Sequence, residues 1–203
     1  IPIPGLLVGA VGLSVPLICG ALGGVISERV GVVNVAIEGQ LLAGAFVSAV
    51  VASVIKDSFF GPLLGLLAAV VAGVLVAFVL AAFSIKYFVD QVIVGVVLNV
   101  LVVGLTSFLF SKVLAPNAAL LNSPPRFPRL PIPLLSEIPI LGPVLFRQTI
   151  IVYIMYVAVA VVWFALFKTR WGLRLRSVGE HPQAADTVGI NVNATRFWNV
   201  LLA

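Results

Sequence analysis

Apolar residues run along this chain in long blocks, and polar residues are confined mostly to the gaps between them. Five blocks reach or approach the ~20 residues that a helix rising about 1.5 Å per residue needs to cross ~30 Å of hydrocarbon. The first runs from Gly5 to Ser27, the second continues to about Ile55, and the third spans Gly61 to Phe83. The fourth covers Gln91 to about Lys112, and the fifth Gln148 to Phe167. Phe197 opens a sixth block that the sequence carries only to Ala203. The pattern predicts an all-α integral membrane protein, a polytopic helical bundle with five full spans and the start of a sixth. Residues 1–203 read as one transmembrane domain, expected to continue beyond both ends.

Small residues recur at four-residue spacing inside two blocks. Gly12, Gly20 and Gly24, with Pro16 in register, mark the first, and Gly61, Gly65, Ala69, Gly73, Ala77 and Ala81 mark the third. Such stripes let helix backbones approach closely in a bilayer, so both are expected to pack against neighbouring helices.

Three polar residues inside apolar blocks are candidates for lining a path through the membrane: Asn34, Glu38 and Asn99. The segment Gly31–Gln40 reads GVVNVAIEGQ, and the four-residue spacing of Asn34 and Glu38 places them on one face of a helix. An acid within a span is costly and needs a reason. Glu38 either lines the path or supports a broken helix that does, or it sits near the interface, pairing with Arg29 or capping a helix start. Asn34 and Asn99 either line the path or bond between helices.

Composition agrees with the lipid setting. Hydrophobic residues make up 62% of the chain and charged residues 9%, against about 25% charged in soluble domains; the mean hydropathy is +1.23. The net charge of +5 is no nucleic-acid signature, because the basic residues lie between spans. Alternating spans place Arg29, Lys86, Lys168, Arg170, Arg174, Arg176 and Arg196 on one side. Lys56, Lys112, Arg126, Arg129 and Arg147 fall on the other. Arg126 and Arg129 lie far from any span end, so the bias puts the first set in the cytoplasm. The connection Leu114–Arg147, with eight of the thirteen prolines, is then extracytoplasmic. Continuous helix is excluded through Pro124–Pro133.

Catalytic chemistry has no foothold in the pattern. One cysteine and one histidine cannot make a multidentate soft-metal site. Cys19 reads as a small buried residue, and His181 as a solvated or capping one. No nucleophile–base arrangement is visible and no GxxxxGK[ST] loop occurs, so hydrolysis of ATP by this chain itself is not expected.

The stretch Lys168–Arg196 differs from the other gaps. It is polar and carries five of the twelve basic residues. Pro182 suits a first helical position, Gln183–Val188 can continue for about two turns, and Gly189 can end the helix in the left-handed conformation. Ala184, Ala185 and Val188 are expected on one face, with Gln183 and Asp186 off it. A helix this short needs partners to hold it, and it reads either as a docking element or as an ordinary solvated turn.

Three stretches carry a family resemblance: SERVGVVNVAIEGQLLAGAF (Ser27–Phe46), QVIVGVVLNVLVVGLTSFL (Gln91–Leu109) and GLRLRSVGEHPQAADTVGINVNATR (Gly172–Arg196). Together they resemble the permease subunits of ABC importers of the branched-chain amino acid, ribose and nucleoside type. The ERxGVVNxxxEG form is most similar to the nucleoside branch, often labelled simple-sugar permeases. The resemblance implies a multi-pass subunit of the plasma (inner) membrane that binds no cofactor of its own. Its implied partners are two ABC ATPase subunits carrying ATP and Mg, a second permease subunit and an extracytoplasmic substrate-binding protein. It also implies a coupling helix inserted into the ATPase, matched here by Gly179, Glu180, Pro182, Ala184, Ala185, Gly189, Ile190 and Asn191. Where many members carry Asn before the proline, this chain has His181. Two other readings remain at this point: an ion-coupled secondary transporter or channel, with Glu38 as its titrating acid, and a non-transporting membrane assembly protein.

Overall fold

The computed structural model describes residues 3–55, 60–121, 124–125, 127–131 and 141–203. In chain order, α1 is Ile3–Arg29, α2 Ile37–Val54, α3 Gly61–Ala81 and α4 Gln91–Leu109. The short α5 (Ala118–Leu121), strand β1 (Arg129–Pro131), α6 (Leu141–Leu145) and strand β2 (Arg147–Thr149) follow. The chain then runs through α7 (Ile150–Lys168), α8 (Arg170–Glu180), α9 (Pro182–Thr187) and α10 (Val192–Leu202). Helices α3 and α4 each end in a π-helical turn, Ala82–Lys86 and Phe110–Leu114. Among the described residues, five helices are long and apolar enough to cross a membrane: α1, α2, α7, and α3 and α4 with their π turns.

Local chemistry sets the boundaries. Helix α3 opens with Pro62 in its first turn, where the missing N–H costs nothing. Helix α4 is capped by Asp90, whose Oδ1 accepts from Val92 N at 2.8 Å. Helix α1 stops at Gly31, which has φ +85°. There Val32 N donates to Ser27 O at 3.0 Å and Gly31 N to Glu28 O at 2.9 Å, the paired bonds of a Schellman cap.

That cap changes the expected second span. Residues 32–34 have no helical structure, and α2 begins only at Ile37. Asn34 and Glu38 therefore do not share a helix face. Asn34 adds to the cap: its Oδ1 accepts from Ala36 N at 3.1 Å, a local turn that competes with helix.

Helices α2 and α3 form the most extensive pairing. A Cβ added to Gly65 would lie 2.9 Å from Ala52 Cβ, and one on Gly44 would lie 3.3 Å from Ala69 O. The Gly65 and Ala69 part of the α3 stripe thus permits the backbone approach it predicts, whereas Gly73 faces open space. On α1 only part of the stripe is used. Gly20 and Gly24 face Ile37, whereas Gly12 faces open space. Cys19 is exposed rather than buried: it lies on the outer side of α1, among apolar residues such as Leu13 and Leu17 that the chain leaves uncovered.

The proline-rich connection, as far as it is described, carries the short helices α5 and α6, with β1 in the proline-dense part between them. Strand β1 pairs antiparallel with β2, in a register that sets Leu130 opposite Gln148. Tyr153 at the start of α7 donates from its hydroxyl to Leu130 O at 2.9 Å, and buried Gln148 donates from Nε2 to Val144 O at 2.7 Å. Gln148 therefore belongs to the strand, and the fifth span starts at Ile150. The central part of this connection, residues 132–140, lies outside the described residues.

The stretch Lys168–Arg196 holds more helix than expected. The short α9 is present, but α8 precedes it and α10 begins at Val192, ahead of Phe197. Helix α8 is amphipathic: Gly172, Leu175 and Val178 are buried, while Arg170 and Arg174 are exposed. Its buried face joins a core of Ile26, Val30, Val32, Ala36, Leu80, Val94, Leu98, Ala185 and Val200. This core sits at the Arg29 end of the bundle, where Gly31, Asp90 and Arg196 also line one cleft.

Candidate functional site

The break between α1 and α2 is held by one face of α4. Gln91, Gly95 and Asn99 follow at four-residue spacing, so they form a stripe along that helix. Gln91 Oε1 accepts from Val33 N at 3.2 Å. Asn99 Nδ2 donates to Val35 O at 3.0 Å, and Asn99 Oδ1 accepts from Gly39 N at 2.8 Å. Between them, a Cβ on Gly95 would lie 2.7 Å from Val35 Cβ and 3.1 Å from Ala36 N, so only glycine lets the segment lie this close. The step along α4 from Gln91 to Asn99 is about 12 Å at 1.5 Å per residue. The extended segment thus enters apolar surroundings, where non-helical backbone needs protein partners.

The three expected path residues divide. Asn34 is buried and works locally, accepting from Ala36 N and donating from Nδ2 to Gln40 Oε1 at 3.2 Å. Asn99 bonds across to the break, in keeping with one of its two readings. Glu38 is exposed in the first turn of α2 and supplies no side-chain cap to that helix. Its charge still sits at the favourable end of the α2 dipole. Asn34 and Asn99 are therefore brought to one place, and Glu38 stands beside it facing outward.

The residues matched to the coupling element lie together at the Arg29 end. Gly179 and Glu180 close α8, and Pro182, Ala184 and Ala185 lie in α9. His181 joins the two helices, exposed and without a side-chain cap bond. Gly189 has φ +84°. Gly189 N donates to Asp186 O at 2.9 Å and Ile190 N to Ala185 O at 3.1 Å, a second Schellman cap. Asn191 caps α10 through Oδ1, which accepts from Ala194 N at 2.9 Å. A shallow cleft of about 600 Å³ runs past Pro182, Asp186 and the Gly189–Asn193 turn.

The expected common face of Ala184, Ala185 and Val188 is split. Ala185 is only 3% exposed and packs inward, whereas Val188 is 74% exposed and Ala184 is exposed beside it. The inner residue fixes the helix to the core, and Ala184 and Val188 lie on the exposed side.

Sequence reasoning missed Gln91 and Gly95, although their period of four with Asn99 was a usable signal. It also missed Arg196, whose Nε donates to Val30 O at 3.3 Å. No local pattern announces a contact between residues so far apart in sequence.

Residues 6–203 match the family described as "Branched-chain amino acid transport system / permease component". The chain belongs to this permease family. It is 44% identical, over 93% of its length and 60% of the relative's, to the guanosine ABC transporter permease protein NupQ of Bacillus subtilis. It is 42% identical to the nucleoside ABC transporter permease protein NupC of Lactococcus lactis, over 94% of this chain and 60% of that one. It is 36% identical to the putative glucose ABC transporter permease protein TsgC13 of Haloferax volcanii, over 98% and 58%. The chain thus spans about 60% of the length of the curated relatives it matches. No solved structure matches it. Family membership and five apolar helices of spanning length make it a multi-pass membrane protein.

Proposed function

We propose that this permease chain forms part of the translocation path of an ATP-driven ABC importer for nucleosides or related simple sugars, in the plasma (inner) membrane. The observation that carries the reading is the 44% and 42% identity to permeases named for guanosine and nucleoside transport. ATP and Mg belong to separate ATPase subunits, and a second permease and an extracytoplasmic binding protein complete the assembly. The Arg29 end of the bundle faces the cytoplasm, and the proline-rich connection faces the opposite side. At the cytoplasmic end α9 docks into the ATPase through Ala184 and Val188, while Ala185 ties it to the core. Asn34 and Asn99 act on the path indirectly, by holding the broken segment that borders it.

The test is uptake of guanosine and of glucose into vesicles holding the full-length permease with all partner subunits. Guanosine uptake that requires ATP, and that is lost on deleting Gln183–Val188 at equal protein levels, is the expected result. Uptake driven by an ion gradient without the ATPase would overturn the reading.

A further inference from the structure

We propose that the contact of Gly179 with the end of α1, clamped by Arg196, is the joint that carries movement of α9 into the break between α1 and α2 at residues 31–36. This joint deepens the docking role given to α9 and rests on it.

Two backbones meet here with no side chain between them. A Cβ on Gly179 would overlap the carbonyl oxygen of Arg29 and lie 3.3 Å from Gly31 N. A Cβ on Gly31 would lie 3.4 Å from Gly179 Cα and 3.2 Å from Arg196 Nη2. Arg196 reaches over the same turn, its Nε donating to Val30 O at 3.3 Å. The end of α8, the first turns of α10 and the Schellman cap of α1 are therefore one contact.

Both sides of the joint are firmly connected. On one side, Ala185 of α9 lies in the same buried cluster as Leu175 and Val178 of α8 and Val30 and Val32 of the α1 cap. On the other side, Val33 and Val35 are bonded to Gln91 and Asn99 of α4. Close-packed interiors pass displacement on rather than absorbing it. A shift of α9 thus reaches the break through Gly179, the α1 cap and the extended segment, in that order. Arg196 is a positioning residue in this chain of contacts: it holds the cap carbonyl against α10 so that cap and loop move together.

The test reads coupling itself, as transport per ATP, rather than contact. The full-length permease carrying Arg196→Ala is assembled with its partner subunits in proteoliposomes. Assembled complex, ATP hydrolysis and guanosine uptake are measured on the same vesicles. The expected result is normal assembly and hydrolysis, with uptake per ATP reduced about fivefold or more, the low end of ordinary site-to-site coupling. Arg196→Lys, which keeps a cationic donor, is expected to recover part of the loss. Unchanged uptake per ATP would overturn the joint, as would loss of uptake that only follows loss of assembled complex. Wild-type vesicles that assemble but show no ATP-dependent uptake would instead overturn the importer reading, and the joint with it.

Discussion

Asn99 of α4 accepts from the amide of Gly39 at 2.8 Å, so a side chain from one helix caps the start of another. The same residue donates to Val35 O at 3.0 Å. One asparagine thus satisfies a helix-start N–H and an extended-segment carbonyl, both of which lack helical partners.

Asn99→Leu removes both bonds at similar volume. Hydrogen bonds between membrane helices average only about 0.6 kcal/mol, whereas stranding a buried polar group costs about 1–3 kcal/mol. The larger figure applies here, because the extended backbone lies outside any helical hydrogen-bond ladder. The expected outcome is a clearly lowered thermal unfolding midpoint in detergent, with reduced uptake. An unchanged midpoint would show that the break is not held this way.

Gly95→Ala and Gly104→Ala make a matched pair on one helix. The first places a methyl group 2.7 Å from Val35 Cβ, and the second meets nothing within 4 Å. Gly95→Ala is expected to destabilise by about 1–3 kcal/mol through overpacking. Gly104→Ala should be neutral or slightly stabilising in the isolated chain, since alanine favours helix by about 0.5–1 kcal/mol. Thermal unfolding of both variants checks the contrast.

The spans were legible because lipid demands long apolar runs, and a run such as Gly61–Phe83 can form little else. The short α9 was legible for a different reason, since Pro182 and Gly189 are position-specific signals. The break at residues 31–36 was not. Its residues Val32, Val33 and Val35 are as apolar as a span, and what unwinds them is a cap at Gly31 plus partners some sixty residues away in sequence. Ala185 and Val188 failed likewise. Their spacing put them on one side of a short helix, but which side faces inward depends on where α8 and α10 lie.

Gly189→Ala forces an L-residue into the left-handed region, at about 1–2 kcal/mol, and Gly189→Asn should be milder. Amide hydrogen exchange at Ile190, which donates to Ala185 O at 3.1 Å, is expected to quicken in the alanine variant and less in the asparagine variant. ATP-driven uptake should fall in the same order. Equal protection in all three proteins would mean that the Gly189 cap does not hold α9.

Docking of α9 on the ATPase is tested most directly by cross-linking through Val188. The native thiol of Cys19 is exposed, so the measurement uses Val188→Cys in a Cys19→Ser background, within the complete assembly. Ala185→Cys serves as the inward-facing control. The expected result is that Val188→Cys cross-links to the ATPase subunit and Ala185→Cys does not. A Val188→Cys variant that never reaches the ATPase, in a complex that still drives uptake with ATP, would contradict the docking role.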